Sequence, residues 1–162
     1  MKPVRLFSVA ILLAVGANQA LAQNPVTQKE VDNACKKVLS SFSANLNLPT
    51  HSIKLNGGNT VATRGYIIQR FHSMFTYIKP KFLRKPDPAF KKSKIDSKGL
   101  STVEAALLRT LVDNGFVQST SPLATGKITR FSTTEFGTDL GKFIVQAAEL
   151  THKSDPKYSP RR

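Results

Sequence analysis

Disulfide bonds within the chain are excluded, because the 162-residue sequence contains a single cysteine, Cys35. The stability of the fold must therefore come from the packing of a hydrophobic core. After the N-terminal region, no stretch approaches the roughly twenty consecutive apolar residues that a membrane-spanning helix needs. We therefore expect no transmembrane segment in the mature chain.

Recognisable catalytic and metal-binding motifs are also lacking. The histidines His51, His72 and His152 show no metal-ligand spacing, and there is neither a Gly-x-Ser-x-Gly elbow nor a phosphate-binding glycine loop. The sequence therefore predicts no cofactor, no metal site and no catalytic residue. A nucleophile pair of Cys35 and His72 is the one alternative, since such pairs assemble from distant positions. Helical spacing, however, assigns Cys35 to the apolar stripe of a helix, where a cysteine behaves as a small hydrophobe.

The N-terminal region has the pattern of a secretion signal. Lys2 and Arg5 precede the apolar run LFSVAILLAVG, and Ala20-Leu21-Ala22 supplies the small-x-small pattern that signal peptidase accepts. The segment resembles the signal peptides of Gram-negative bacteria, and the chain has no Asn-x-Ser/Thr glycosylation sequon. We therefore expect residues 1–22 to be removed near Ala22 and the protein to be periplasmic or secreted.

Two stretches of the first half predict amphipathic helices. Thr27 and Glu30 have the spacing of a capping box, and the apolar residues that follow recur at helical spacing as far as Phe42. In RGYIIQRFHSMFTYIK, residues 64–79, apolar residues keep helical spacing over three turns, and Pro80 ends the pattern. Between these helices the turn sequence NGGN separates HSIKL from TVAT, whose alternation predicts a short β-hairpin.

Beyond residue 100 the pattern predicts a helix, a second hairpin and a helix. Ser101 and Glu104 form another capping signature, and Gly115 is placed to end this helix in the left-handed conformation. FVQSTSPLATGKITRFS then predicts two short strands around a loop, and TTEFGTDLGKFIVQAAEL predicts the last helix. Glu135 and Asp139 fit charge compensation near the N-terminal end of that helix.

The order of these elements over residues 101–150 resembles the second half of a winged-helix domain, on the runs LLRTLVDNGFV and ITRFSTTEFGTDLGKFI. The resemblance implies that residues 102–114 correspond to the helix that enters the DNA major groove. Residues 99–150, however, carry four basic and five acidic side chains, a poor balance for phosphate binding. A regulator function therefore does not follow from the fold. We predict a small, helix-rich α+β domain over residues 23–150 with a short β-hairpin, a winged-helix-like C-terminal part and a flexible basic tail at residues 151–162.

Positive charge is concentrated in the middle of the chain. Residues 51–98 hold eleven basic and two acidic side chains, and the whole chain carries a net charge of +14. The densest part, KPKFLRKPDPAFKKSKIDSK, is named here the basic segment (residues 79–98), and its three prolines prevent a continuous helix. Its eight cations are the candidate binding residues: Lys79, Lys81, Arg84, Lys85, Lys91, Lys92, Lys94 and Lys98.

Two interpretations of the basic segment remain. It either binds an anionic partner, such as lipid headgroups, lipopolysaccharide, nucleic acid or an acidic protein, or it is a solvated connector. We predict a non-enzymatic binding or accessory protein that engages an anionic partner. The alternatives are a secreted enzyme with a spatially assembled site and a structural component of an envelope or secretion assembly, which an exposed apolar patch would indicate.

Overall fold

Five α-helices form the framework of the two ranges that the computed structural model describes, residues 24–83 and 94–152. A 3-10 turn at Lys79–Lys81 follows the second helix directly. The helices, numbered in chain order, are α1 (Gln28–Leu46), α2 (Arg64–Ile78), α3 (Thr102–Asp113), α4 (Pro122–Thr125) and α5 (Thr133–His152). The predicted signal segment at residues 1–22 and all of the predicted tail beyond residue 152 lie outside the described residues.

The predicted starts of α1 and α3 are confirmed. The Thr27 hydroxyl accepts a hydrogen bond from the Glu30 N–H at 3.2 Å, while the Glu30 carboxylate accepts from the Thr27 N–H at 2.8 Å. Ser101 and Glu104 repeat this arrangement at 3.2 Å and 2.9 Å. These reciprocal bonds satisfy amides that a helix start otherwise leaves without a partner. Gly115, at φ +76°, follows α3 in the left-handed conformation, as predicted.

The second predicted helix, α2, is also confirmed. A larger share of its residues is buried than in α1. It ends at Ile78, and Pro80 falls in the 3-10 turn that follows. Its neighbours in the fold include α1 and α3. Within its fifteen residues, eight are buried: Arg64, Gly65, Ile67, Ile68, Phe71, Met74, Phe75 and Ile78.

The hydrophobic core joins residues from all five helices. At its centre, the ring centroids of Phe116 and Phe143 lie 4.7 Å apart, and those of Phe71 and Phe143 lie 5.3 Å apart. Each fully buried phenylalanine stabilises the fold by about 1.5–3 kcal/mol relative to an exposed one. Cys35 belongs to the same core and is fully buried, so its predicted role as a small core hydrophobe is confirmed.

The predicted α+β class is wrong, because the described residues contain no β-strand and only isolated bridges. In place of the first hairpin, residues 51–58 alternate between partly buried and exposed positions, and Ile53 and Leu55 pack against the core. The Gly57 N–H donates to the Asp32 carboxylate of α1 at 2.8 Å. The glycine turn is therefore bound to a helix and does not close a pair of strands.

The second predicted hairpin, between α3 and α5, is wrong for a similar reason. The Ser121 hydroxyl accepts from the Leu123 N–H at 3.0 Å, and Pro122 is the first residue of α4, so a capped helical turn forms where a loop was expected. The Phe131 carbonyl accepts from the Val26 N–H at 2.7 Å, which pairs this segment with the start of the fold. The wider resemblance of residues 101–150 to a winged-helix domain stays a prediction.

Three long helices begin at one place in the fold. The residues before α1, α2 and α5 lie side by side, because the Val26 N–H donates to Phe131 and the Ala62 N–H donates to the Val26 carbonyl at 2.8 Å. Single antiparallel bridges, Pro25 with Ser132 and Thr27 with Val61, complete this junction. The segments that the sequence predicts to pair within two hairpins instead form backbone hydrogen bonds with the residues before α1.

No helix within residues 24–83 and 94–152 is both long enough and apolar enough to cross a bilayer. This agrees with the predicted lack of a transmembrane segment in that part of the chain.

Candidate anion-binding site

The first end of the basic segment is anchored in the aromatic core. The Phe82 ring lies 5.6 Å from the rings of both Phe75 and Phe116, and the Leu83 N–H donates to the Leu150 carbonyl of α5 at 3.0 Å. The 3-10 turn before Phe82 holds an exposed Lys79 and a half-buried Lys81. The ammonium of Lys79 lies 5.9 Å from the centroid of the Phe75 ring, within cation–π range.

The other end is anchored beside α4. Ile95 packs against the core, and the Asp96 N–H donates to the Ala124 carbonyl at 2.8 Å. The Asp96 carboxylate accepts from the Lys98 N–H at 2.8 Å, which closes a tight turn. Lys94 and Lys98 are exposed on either side of this turn.

Four of the eight candidate cations therefore have a described position. Lys79 and Lys81 follow the C-terminal end of α2, whereas the carbonyl of Lys98 is bound by Arg64 at the N-terminal end of α2. Fifteen helical residues separate these ends, a length of roughly 20 Å. The structure thus divides the four lysines into two groups that no single small anion can bridge. The other four cations, Arg84, Lys85, Lys91 and Lys92, lie outside the described residues.

Two of the eleven basic residues in the middle of the chain, Arg64 and Arg70, are held by contacts within the fold and are not available to a partner. Arg64 is buried, and its guanidinium donates to the carbonyls of Leu123 at 2.8 Å and Asp96 at 2.5 Å. Burial lowers the pKa of Arg64, and the charge of Asp96 opposes that shift. Arg70 is ion-paired with Asp32 at 2.7 Å. Charge counting along the sequence therefore overstates the cations available to a partner.

The buried Asp32 carboxylate organises a polar cluster between α1 and α2. It accepts hydrogen bonds from the Tyr66 hydroxyl at 2.8 Å and from Gly57, in addition to the pair with Arg70. The guanidinium of Arg70 lies 4.5 Å from the Tyr66 ring centroid. Burial lowers the pKa of Arg70, but its hydrogen bonds to Tyr66 and Asp32 raise it above the ordinary value. Each of these contacts is internal, so the cluster links α1, α2 and the Gly57 turn and offers no cation to a partner.

The structure does not support the pair of Cys35 and His72 as a nucleophile and base. Burial, reinforced by the charge of Asp32, raises the pKa of the Cys35 thiol to about 12, so the reactive thiolate is absent at neutral pH. His72 is half-buried on α2, where burial and the charge of Lys79 lower its pKa.

The predicted lack of a metal site stays a prediction for the whole chain. Within the part of the chain that the structure describes, no three His, Cys, Asp or Glu residues are grouped to hold a metal ion. The His51 ring packs edge-on against Tyr77, with centroids 6.1 Å apart, and the Tyr77 hydroxyl donates to the Pro49 carbonyl at 2.5 Å. The side chain of His152 lies outside the described residues.

A buried acid on α5 was missed by the sequence analysis. Asp139 is 6% exposed and accepts a hydrogen bond from the Ser121 hydroxyl at 2.9 Å. Burial raises the pKa of Asp139 to about 6, the Ser121 hydrogen bond opposes this shift, and the charge of Glu135 adds to it. The Ser-Pro sequence at residues 121–122 is a helix-start signal and could have indicated α4. Its spacing also carries a signal, because Asp139 lies three residues after Phe136 and four before Phe143, which places it on the buried face of α5.

Comparisons with protein-family models, with curated proteins and with solved structures found no match to this chain. A function must therefore be argued from the charges and contacts of the chain itself.

Proposed function

We propose that the protein is an exported, non-enzymatic binding or accessory protein that engages an anionic partner through the basic segment. The observation that carries this proposal is the exposure of Lys79, Lys94 and Lys98 at two anchored ends of the segment. None of these lysines is ion-paired to another described residue, so their charge is available to a partner.

The separation of the two ends favours an extended partner. Because the ends lie roughly 20 Å apart along α2, a polyanion or an anionic surface can contact both, whereas a small anion can contact only one. Charges spread over such a distance act together through the electrostatic field at low ionic strength. A periplasmic or extracellular location, expected from the N-terminal signal pattern, offers such partners in lipid surfaces and lipopolysaccharide.

The proposal is tested by binding of the mature protein to anionic vesicles, lipopolysaccharide and DNA at low salt. The test variant changes Lys79, Lys81, Lys94 and Lys98 to serine. The matched control changes Lys29, Lys36, Lys37 and Lys54 to serine, which removes the same charge from exposed positions on α1 and the loop that follows it. We expect the test variant to lose most of its binding to one or more of these anions, and the control variant to retain it.

Equal binding by the two variants would show that only net charge matters and would make the basic segment a solvated connector. A wild-type protein that binds none of the three anions would overturn the proposed function as a whole.

A further inference from the structure

Two segments that are distant in the sequence meet around the buried Arg64 side chain. Its guanidinium donates to the Lys98 carbonyl at 3.1 Å and to the Leu123 carbonyl at 2.8 Å. A side chain added at Gly126 would lie 3.1 Å from the same guanidinium and 3.2 Å from the Asp96 carboxylate. The end of the basic segment therefore lies against the loop between α4 and α5.

This contact brings together cations that the sequence separates by about thirty residues. Lys94 and Lys98 lie on one segment, and Lys127 and Arg130 lie on the other, and all four are exposed. Each segment has an isoleucine packed against the core, Ile95 in the first and Ile128 in the second. These anchors hold the segments in place and leave the neighbouring cations in solvent. We call this group of four residues the clamp patch.

The carboxylates beside the clamp patch are already engaged within the fold. The Asp96 carboxylate accepts from the Lys98 N–H, and the Glu104 carboxylate accepts from the Ser101 N–H at 2.9 Å and from Gln69 at 3.0 Å. None of the four cations is ion-paired to another described residue. A third carboxylate, that of Glu135, accepts from the Ser132 N–H at 2.9 Å close to Arg130. Four exposed cations and the buried Arg64 thus outnumber the three carboxylates.

We propose that the clamp patch is a docking surface for an anionic lipid membrane, with the lysines and arginine against phosphate headgroups. This inference rests on the proposed function and names both the partner and two further residues, Lys127 and Arg130. Lysine and arginine side chains close to an anionic leaflet are attracted by its negative surface potential. The first turn of α3, which begins four residues after Lys98, presents Val103 at 67% exposure, an apolar side chain that can enter the headgroup region.

The composition of the patch argues against single-stranded nucleic acid as the partner. Such proteins stack bases on exposed aromatic side chains. In the described residues 94–103 and 121–132, the only aromatic side chain is Phe131, and it is fully buried. The surface offers charge and an aliphatic side chain, and no stacking platform.

The test is partition of the mature protein onto phosphatidylcholine vesicles with and without phosphatidylglycerol. The double variant Lys127→Ser/Arg130→Ser is compared with a control double variant, Lys36→Ser/Lys37→Ser, on the exposed side of α1. Each cation close to an anionic leaflet contributes about a fivefold gain in partition, so we expect the test variant to bind roughly 30-fold more weakly. The control variant should change partition by about twofold or less.

The outcomes separate this inference from the proposed function. Binding to phosphatidylglycerol vesicles that the control variant retains and the test variant loses supports the clamp patch. Equal binding by both variants overturns the clamp patch and leaves the proposed function standing. Wild-type binding to DNA or lipopolysaccharide without binding to vesicles has the same two consequences. Absence of binding to all of these anions overturns both. Circular dichroism of each variant confirms that a loss of binding is not a loss of fold.

Discussion

The Arg70 guanidinium lies 2.7 Å from the Asp32 carboxylate, and this ion pair joins α2 to α1. The side chain of Asp32 is 3% exposed and that of Arg70 is 18% exposed. The same carboxylate receives the N–H of Gly57 and so fixes the loop between the helices. The Asp32 carboxylate thus links α1, α2 and the turn at Gly57.

Removal of the Asp32 carboxylate should destabilise the protein strongly. Asp32→Ala leaves the Arg70 charge, the Tyr66 hydroxyl and the Gly57 N–H without their acceptor, and we expect a loss of about 3 kcal/mol in the free energy of unfolding. Urea denaturation measures this loss. Asn33→Ala, at the exposed neighbouring position, should change stability by less than about 0.5 kcal/mol.

A double-mutant cycle of Asp32→Ala with Arg70→Met isolates the ion pair itself. The two losses should fall short of additivity by about 1 kcal/mol or more, because the second change no longer breaks an intact pair. Strict additivity would show that the two side chains stabilise the fold independently.

The adjacent glycines of the NGGN turn provide a matched pair of substitutions. A Cβ atom at Gly57 would lie 2.5 Å from the Tyr66 hydroxyl and 2.8 Å from the backbone of Gln28, whereas a Cβ atom at Gly58 would have no neighbour within 4 Å. We expect Gly57→Ala to lower the melting temperature, with a loss of about 1–3 kcal/mol from overpacking. Gly58→Ala should be close to neutral. Similar melting temperatures for the two variants would contradict the close approach at Gly57.

Asp139 should make stability depend on pH in the acidic range. The pKa of Asp139 is about 6 in the folded protein, and its ordinary value, which we take for the unfolded chain, is 3.8. The folded protein therefore binds this proton more tightly than the unfolded chain does. Stability from this group is present below pH 3.8 and is lost as the pH rises through 6. Asp139→Asn keeps an acceptor for Ser121 and cannot ionise. We expect it to stabilise the protein by about 2 kcal/mol above pH 6 and to lose this advantage near pH 4.

The control for this experiment is Glu149→Gln, which removes one negative charge from an exposed position on the same helix. Its stability should follow that of the wild type across the pH range. If Asp139→Asn gave a pH-independent change instead, ionisation of Asp139 would not be the cause.

The features that the sequence predicted are those set by local interactions. The capping boxes of Thr27 and Ser101 involve residues three positions apart, and the apolar stripe of α2 follows from helical spacing alone, so both were readable. A third reciprocal cap, between Ser132 and Glu135 at 2.9 Å and 3.2 Å, has the same local signature. This cap was not predicted, because the predicted helix begins at the threonines that follow Ser132.

The features that the sequence did not predict depend on contacts between distant residues. Alternation around NGGN favours a hairpin, but the N–H of Gly57 binds an aspartate 25 positions away, and the neighbouring backbone pairs with the start of α1. Likewise, Arg64 and Arg70 look like surface cations until their acceptors are known. The basic segment meets α4 through the Asp96 N–H, which donates to the Ala124 carbonyl. It is also held there by Arg64, a residue of neither segment, whose guanidinium donates to the Lys98 carbonyl.

The most direct test of the proposed function is the salt dependence of binding by the unsubstituted protein produced without residues 1–22. Its affinity for anionic vesicles, lipopolysaccharide and DNA is measured from low to physiological ionic strength. If exposed lysines engage an anionic partner, affinity for at least one of these anions is measurable at low salt and falls steeply as salt screens the charges. An affinity that does not change with salt, or no binding at low salt, would contradict the proposal.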